Sequence, residues 1–321
     1  MERLTSWLLK EPVGVMPILD KWILFFLKII YLGIRFSIKI ALGKKRRDRL
    51  FVKRGIHFND SFGPSFYFMS FLYKFIKFSR LGNPVSLKIS VRKYNYKVLC
   101  PIKKEEVINM TIREDDIIEH FTPKQGDIAV DIGAHIGRYT IIGSKRVGAQ
   151  GKVVAIEAHP GNFEMLNRNI KLNQLTNVIP LNYAVYSKET KIKLYLPSGE
   201  SGFTKYNTIM PNWINTQEKF VEVNANTLDY LLQLNKIRQE EVNWIKIDVE
   251  GAEFEVLKGA TNVLSKSKDV AILMELHGPP HIYRPKVEEL VNLYNFKIEF
   301  EKSYEENGSM HIIMQKSAST I

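Results

Sequence analysis

One cysteine, Cys100, in 321 residues excludes an internal disulfide framework and any zinc site built on cysteines, and it fits a chain kept in a reducing, cytoplasmic compartment. No apolar stretch of spanning length is free of charge. The run over residues 22–42 is broken by Lys28, Arg35 and Lys39, and a cation at the centre of a bilayer costs about 2.5 to 3.5 kcal/mol on insertion scales. Acid is scarce in the first hundred residues, which hold 20 Lys or Arg against 5 Asp or Glu, whereas the other 221 hold 26 against 29. The whole net charge of +12 therefore lies at one end. The sequence also lacks G-x-G-x-x-G, which counts against a dinucleotide or pyrophosphate site.

What fills the basic end is apolar. On a helical wheel Lys21, Lys28, Arg35 and Lys39 fall within about 40° of one another. Such a stripe suits a helix lying in an interface, with Trp22, Phe25, Phe26, Ile29 and Ile30 buried on the other side. Lys44-Lys45-Arg46-Arg47 adds a cluster suited to anionic head groups. A second aromatic stretch over residues 66–78 carries Lys74 and Lys77. Peripheral attachment at the inner face of a membrane, a helical lid on a catalytic domain and a true span all remain open for residues 1–100. A secretory signal peptide is not expected, since the run is too long and too charged and no small-residue cleavage site follows it. Nucleic acid is not the expected partner, because large apolar side chains crowd the basic surface.

The chemistry begins at residues 127–137. Asp127-Ile128-Ala129-Val130-Asp131-Ile132-Gly133-Ala134-His135-Ile136-Gly137 reads as a short strand ending in an acid, then a glycine turn that opens a helix. Such a turn brings backbone N–H groups to a ligand with no side chain in the way. With Asp131 before it, the turn suits a cationic, phosphate-free ligand, and S-adenosylmethionine is one. Glu157 closes the next strand, placed to accept hydrogen bonds from two ribose hydroxyls. Residues 243–249 form another apolar strand, interrupted by Lys246 and closed by Asp248, after which Glu250-Gly251-Ala252-Glu253 opens a helix. Carboxylates gathered at a strand's carboxyl end need something cationic or hydrogen-bonding to satisfy them. An ion pair to a neighbouring acid is the expected state of Lys246.

The segments Val130-Asp131-Ile132-Gly133-Ala134-His135-Ile136-Gly137, Ile156-Glu157-Ala158-His159-Pro160, Leu172-Asn173, Asn182-Tyr183-Ala184-Val185, Thr227-Leu228-Asp229 and Ile245-Lys246-Ile247-Asp248-Val249-Glu250-Gly251-Ala252-Glu253 resemble the FkbM family of S-adenosylmethionine-dependent methyltransferases. The resemblance covers residues 105–316. It implies an α/β fold with a Rossmann-like, seven-stranded, mostly parallel methyltransferase sheet over residues 101–321, behind a helical basic and aromatic extension over 1–100. It implies an O-methyltransferase in which Asp131, Gly133, Ala134 and Gly137 hold the methionine end of S-adenosylmethionine and Glu157 its ribose. Asn182 and Ala184 would lie beside the adenine, Asp248 and Glu250 would face the methyl group, and Glu275 and His277 would line the next strand's mouth. His135 takes no role. A sugar, glycan or glycolipid is the expected methyl acceptor.

An acceptor hydroxyl needs a base as the bond forms, or a metal that lowers its pKa. Asp248, Glu250, Glu275 and His277 are the candidates, with Asp248 and His277 preferred as base or base partner. No metal ligand set is assigned, because the spacing of the acids is no metal signature. Glu250 and Glu253 could instead be first-turn acids on a helix dipole. A non-catalytic membrane adaptor that keeps the fold, and a nicotinamide enzyme, are the competing classes.

Apolar patterning predicts strands at 127–132, 152–157, 177–182, 242–248, 270–276, 296–301 and 310–315. Helices are expected at 137–148, 161–173, 252–264 and 286–293. The stretch 186–226 is less regular, and its polar centre, from Ser198 to Asn207, resembles a substrate loop.

Overall fold

Strands buried on both faces read as unbroken apolar runs, and the runs singled out above form the interior of the protein. The computed structural model describes residues 86–91, 93–101, 110, 114–196, 220–278, 280–304 and 309–316. The elements in chain order are β1 (Ser86–Val91), β2 (Tyr96–Pro101), α1 (Asp115–His120), β3 (Ile128–Ile132), α2 (Arg138–Val147), β4 (Lys152–Ile156), α3 (Pro160–Leu172), β5 (Val178–Leu181), β6 (Ala184–Val185), β7 (Thr190–Tyr195) and β8 (Phe220–Asn226). There follow α4 (Leu228–Leu234), β9 (Val242–Ile247), α5 (Glu253–Lys258), α6 (Thr261–Lys266), β10 (Ala271–Leu276), α7 (Pro280–Tyr294), β11 (Phe296–Tyr304) and β12 (Ser309–Lys316).

Seven strands make one sheet in the order β11-β12-β10-β9-β3-β4-β5. From β10 through β5 the strands are parallel, and β12 runs antiparallel to both β10 and β11. The chain leaves β3 toward β4 on one side and returns to its other side as β9. That reversal opens the crevice at the carboxyl ends of β3 and β9, where sheets of this kind bind ligands. Register then fixes neighbours: Asp131 lies beside Lys246 across β3 and β9, and Glu275 opposite His311 across β10 and β12.

Three features depart from the patterning. The stretch 186–226, read as less regular, supplies β7 and β8, which join β6 in a second sheet of order β6-β8-β7; the centre of the stretch, from Ser198 to Asn207, lies outside the described residues. The helix expected over 252–264 is two helices, with Gly259 at the break, where a Cβ would come within 2.2 Å of the Tyr186 carbonyl oxygen. Asp229 caps the second of them, accepting from Asn262 N–H at 2.8 Å and Val263 N–H at 3.1 Å.

The third departure concerns β1 and β2. The chain divides into two compact units, Met1–Phe78 and Ser79–Ile321, so this hairpin belongs to the unit that holds the large sheet, although composition drew the boundary at residue 100. Two amides one turn apart on α3 act as a mock strand edge against β2. Asn169 Oδ1 accepts from Leu99 N–H at 2.6 Å while its Nδ2 donates to Leu99 O at 3.0 Å, and Asn173 does the same with Lys97 at 2.9 and 2.6 Å. The first unit, with the basic stripe over 21–47 and the aromatic stretch over 66–78, lies outside the described residues. Among the described residues no helix is long and apolar enough to cross a membrane.

Candidate active site

A cleft opens at the carboxyl ends of β3, β4 and β9. Gly133, Ala134, Glu157, Ala184, Asp248 and Glu250 line it, whereas Asp131, Gly137, Asn182, Glu275 and His277 do not reach its surface. The split follows from how the strand ends are tied.

Gly133 sits at φ +74°, and a Cβ there would lie 1.8 Å from the Asp248 carbonyl oxygen. Only glycine lets the β3 turn and the β9 end close on each other. The N–H groups of this turn are not aimed at a ligand, contrary to the sequence reading. Gly133 and Ala134 both donate to Ile156 O at 3.0 Å, Gly137 donates to Ala134 O at 2.8 Å, and His135 donates to Glu157 Oε2 at 2.7 Å. The turn therefore clears space and orients Glu157. Gly137 serves as the left-handed cap of α2, at φ +100°.

Glu157 is buried, and its other oxygen accepts from His159 N–H at 2.9 Å. Burial raises its pKa, partly opposed by His135 and by these N–H donors. Asn182, expected beside an adenine, instead spends its amide on the Glu157 and Ala158 carbonyls at 2.8 and 3.0 Å. It fixes the β4 end from behind.

Asp131 lies beneath the turn, accepting from Thr140 Oγ1 at 2.6 Å. Lys246 stands between the two strand-end acids, 3.5 Å from both Asp131 Oδ1 and Asp248 Oδ2, and donates to Gly133 O at 3.0 Å. Burial alone would lower its pKa, but Asp248 and Asp131 outweigh burial and hold it above the ordinary lysine range. The ion pair expected from sequence is thus present twice over.

Glu253 is a first-turn acid of α5, as one reading expected, but a buried one. Its Oε1 takes both Gly251 N–H, at 2.9 Å, and His277 Nδ1, at 2.8 Å. His277 Nε2 faces Glu250 at 3.3 Å and Glu275 at 3.6 Å. Burial opposes charge on this ring, yet the Glu253 hydrogen bond and the Glu250, Asp248 and Glu275 carboxylates push its pKa up to about 10. Carboxylates at both ring nitrogens favour the protonated ring, so His277, preferred above as base or base partner, is better placed as a counter-ion to these acids than as a base. Glu275 is buried and its pKa is raised, by burial first and by Asp248 second.

Several residues lining the cleft carried no signal in the sequence. Glu114, Arg138 and Tyr139 are these. Glu114 accepts from Tyr139 Oη at 3.2 Å, and Arg138 Nη2 donates to Asp115 at 2.7 Å. Their selection depends on α1 packing near the β3 turn, which no local pattern announces.

The strand order and the crevice at the carboxyl ends of its parallel strands define a doubly wound α/β fold. Within that class the chain belongs to the FkbM methyltransferase family, whose domain pattern matches residues 131–304. S-adenosylmethionine is the cofactor of that family. The hexuronic acid methyltransferase AglP of Haloferax volcanii is 29% identical over 175 residues, covering 54% of this chain and 62% of that protein. The methyltransferase sdnD of Sordaria araneosa is 30% identical over 201 residues, covering 53% and 73%. Methyltransferase 1 of Beauveria bassiana is 27% identical over 144 residues, covering 40% and 57%. The chain thus spans about three fifths of the archaeal relative and of the Beauveria one. A solved S-adenosylmethionine-dependent methyltransferase from Aquifex aeolicus is similar at 13% identity and a TM-score of 0.37, over 65% of this chain and 93% of that one.

Proposed function

We propose that this chain methylates a hydroxyl of a sugar, glycan or glycolipid. The observation that carries the reading is the placement of Asp248, a carboxylate on the cleft wall opposite the Glu157 side, with buried Lys246 as its counter-ion. The residues present fit S-adenosylmethionine. Gly133 leaves the β3 turn bare, Glu157 presents a carboxylate on the same wall, and Ile156, Ala158, Tyr183 and Ala184 give an apolar surface for a base. Bound there, the cofactor supplies a methyl group on a sulfonium leaving group.

Everything else falls to the chain. The cleft holds acceptor and donor in line, the chief contribution in such a displacement. Asp248 takes the hydroxyl proton as the new bond forms. His277, already protonated, balances Glu250 and Glu253 and fixes their positions. Glu250 at φ +52° and Gly251 at φ +105° turn the chain sharply after β9, which sets Glu250 on the cleft wall.

The name of the archaeal relative makes uronic acid glycosides the first acceptors to try. Labelled methyl transfer from S-adenosylmethionine to a panel of uronic acid and neutral hexose glycosides is expected to find a substrate. Asp248→Asn should cut that rate by about a thousandfold with S-adenosylhomocysteine affinity nearly unchanged. Glu157→Ala should weaken S-adenosylhomocysteine first. Full activity in Asp248→Asn sinks the base assignment.

Residues 1–100, and within them the basic stripe over 21–47, are proposed to hold the enzyme against an anionic membrane surface on the cytoplasmic side, where a glycolipid acceptor would lie. The support is the charge pattern, 20 cations against 5 acids. Sedimentation with anionic liposomes, lost at high salt or on deleting residues 1–50, is the expected result; a full chain that stays in the supernatant at low salt refutes it.

A further inference from the structure

The Asp248 side of the cleft has a second tier behind it that the methyl-transfer reading does not use. Glu114, from the turn before α1, Glu275, from β10, and His311, from β12, converge there, each offering a ligand atom within 4.8 Å of the others. Glu275 and His311 stand directly opposite in the β10–β12 ladder, so the pairing of the two strands fixes them side by side. Both are about 96% buried, at 4% exposure each.

Their polar atoms are poorly served by protein alone. Glu275 Oε2, the oxygen that faces His311 Nε2, is buried and has no hydrogen-bond partner. Buried polar atoms are almost always paired, and one that is not calls for an unseen water or ion. His311 Nε2 lies 3.5 Å from Glu275 Oε2, long for a charge-assisted hydrogen bond. It suits two ligands of one ion: with metal–ligand bonds of about 2.1 Å and a tetrahedral angle, the ligand atoms stand roughly 3.4 Å apart. Glu114 completes the group in a left-handed backbone conformation, φ +59°, and is the member that lines the cleft.

From this convergence we propose that Glu114, Glu275 and His311 bind one first-row divalent cation of the Mn²⁺ or Zn²⁺ class. Two carboxylates and an imidazole are a mixed oxygen and nitrogen set that such ions accept and that Ca²⁺ and Mg²⁺ favour less. Three protein ligands leave at least one position open, on the side where Glu114 meets the cleft. The neighbouring trio Asp248, Glu250 and His277 also gathers its ligand atoms within 4.8 Å. Its histidine, however, has both ring nitrogens engaged within the chain, Nδ1 by Glu253 at 2.8 Å and Nε2 by Glu250 at 3.3 Å.

The test uses the full chain, stripped with chelator and then dialysed against Mn²⁺ or Zn²⁺, with elemental analysis of the retained metal and calorimetric titration of the stripped protein with each ion. About one equivalent should be retained. His311→Gln and the nearly isosteric Glu275→Gln should each weaken binding at least tenfold, while His277→Gln leaves it within about threefold. The paired variants guard against loss of fold in either one, checked by circular dichroism. Absence of a stoichiometric ion in the folded wild type overturns the site, as does binding that survives both Glu275→Gln and His311→Gln or that is lost only in His277→Gln. No readout involves methyl transfer, so the result is independent of the function proposed above.

Discussion

On the β3–β4 side of the cleft, the polar groups nearest the ligand space are answered from within the chain. The N–H groups of Gly133, Ala134, His135 and Gly137 are all donated to protein acceptors, Glu157 takes two backbone donors, and the Asn182 amide closes two carbonyls behind it. On the β9–β10–β12 side, Asp248, Glu250, Glu253 and Glu275 crowd around two cations, Lys246 and His277. The first wall is finished before anything binds. The second carries a surplus of negative charge, which in a buried setting calls for protons or a bound cation. The contrast is the one the proposed methyl transfer would need: a cofactor wall shaped in advance and an acceptor wall that handles a proton.

The sharpest way to break this contrast is to disturb the one point where the walls touch. In Gly133→Ala the new Cβ would meet the Asp248 carbonyl at 1.8 Å, backbone against backbone, at a φ of +74°. Neither strand end can yield without moving the other. We expect a loss of at least about 3 kcal/mol of stability in chemical denaturation, with S-adenosylhomocysteine binding abolished. Gly126→Ala is the control. Its φ of +89° is as awkward, but nothing lies within 4 Å of the added atom, so only about 1 kcal/mol should be lost. Equal losses in the two variants would show that conformation alone matters, and that the walls do not lean on each other.

The two walls were also unequally legible in the sequence. The strands of the large sheet stood out because parallel strands buried on both faces leave continuous apolar runs. Glu157, Asp248 and Glu250 stood out because an acid at the end of such a run is conspicuous. What could not be read was anything decided by partners distant in sequence. Asp131 and Asn182 are at the predicted places yet turn away from the cleft, because Thr140 and Lys246 claim one, and the Glu157 and Ala158 carbonyls the other. His277 looks like a base until three carboxylates are brought around it. Glu114 and His311 gave no signal, since what makes them notable is the β10–β12 register and the turn before α1. Residues 86–100 were assigned to the extension because charge and aromatic content continue through them; that they pair with amides on α3 depends on contacts some 70 residues apart.

Those amides allow a test of whether the finished wall depends on the hairpin. Asn169 is fully buried and, besides its two bonds to Leu99, donates to Ile136 O at 2.8 Å, inside the glycine turn. Asn169→Ala strands Leu99 N–H and the Ile136 carbonyl together, and should cost about 3 kcal/mol. Asn173, nearer the surface, should cost under about 1 kcal/mol. Amide exchange would add the location: in Asn169→Ala the β2 and glycine-turn amides should lose protection together, whereas loss confined to β2 would separate hairpin from turn.

The smallest expected effect tests pH sensitivity on the same wall. His159 caps α3, its Nδ1 accepting from Asn162 N–H at 3.3 Å. Burial, assisted by nearby His135, lowers its pKa to about 4. The folded protein therefore holds His159 neutral where the unfolded chain, near 6.5, takes up a proton. Stability from this residue is fully present above pH 6.5 and drains away as pH falls toward 4, by at most about 3 kcal/mol. His159→Asn keeps a capping acceptor and removes the titration. In denaturant melts at pH 7.5 and 4.5, the wild type should lose about 2 kcal/mol more than the variant between the two pH values. Parallel losses would mean that the ring is already protonated in the fold, and that the N-cap of α3 is made some other way.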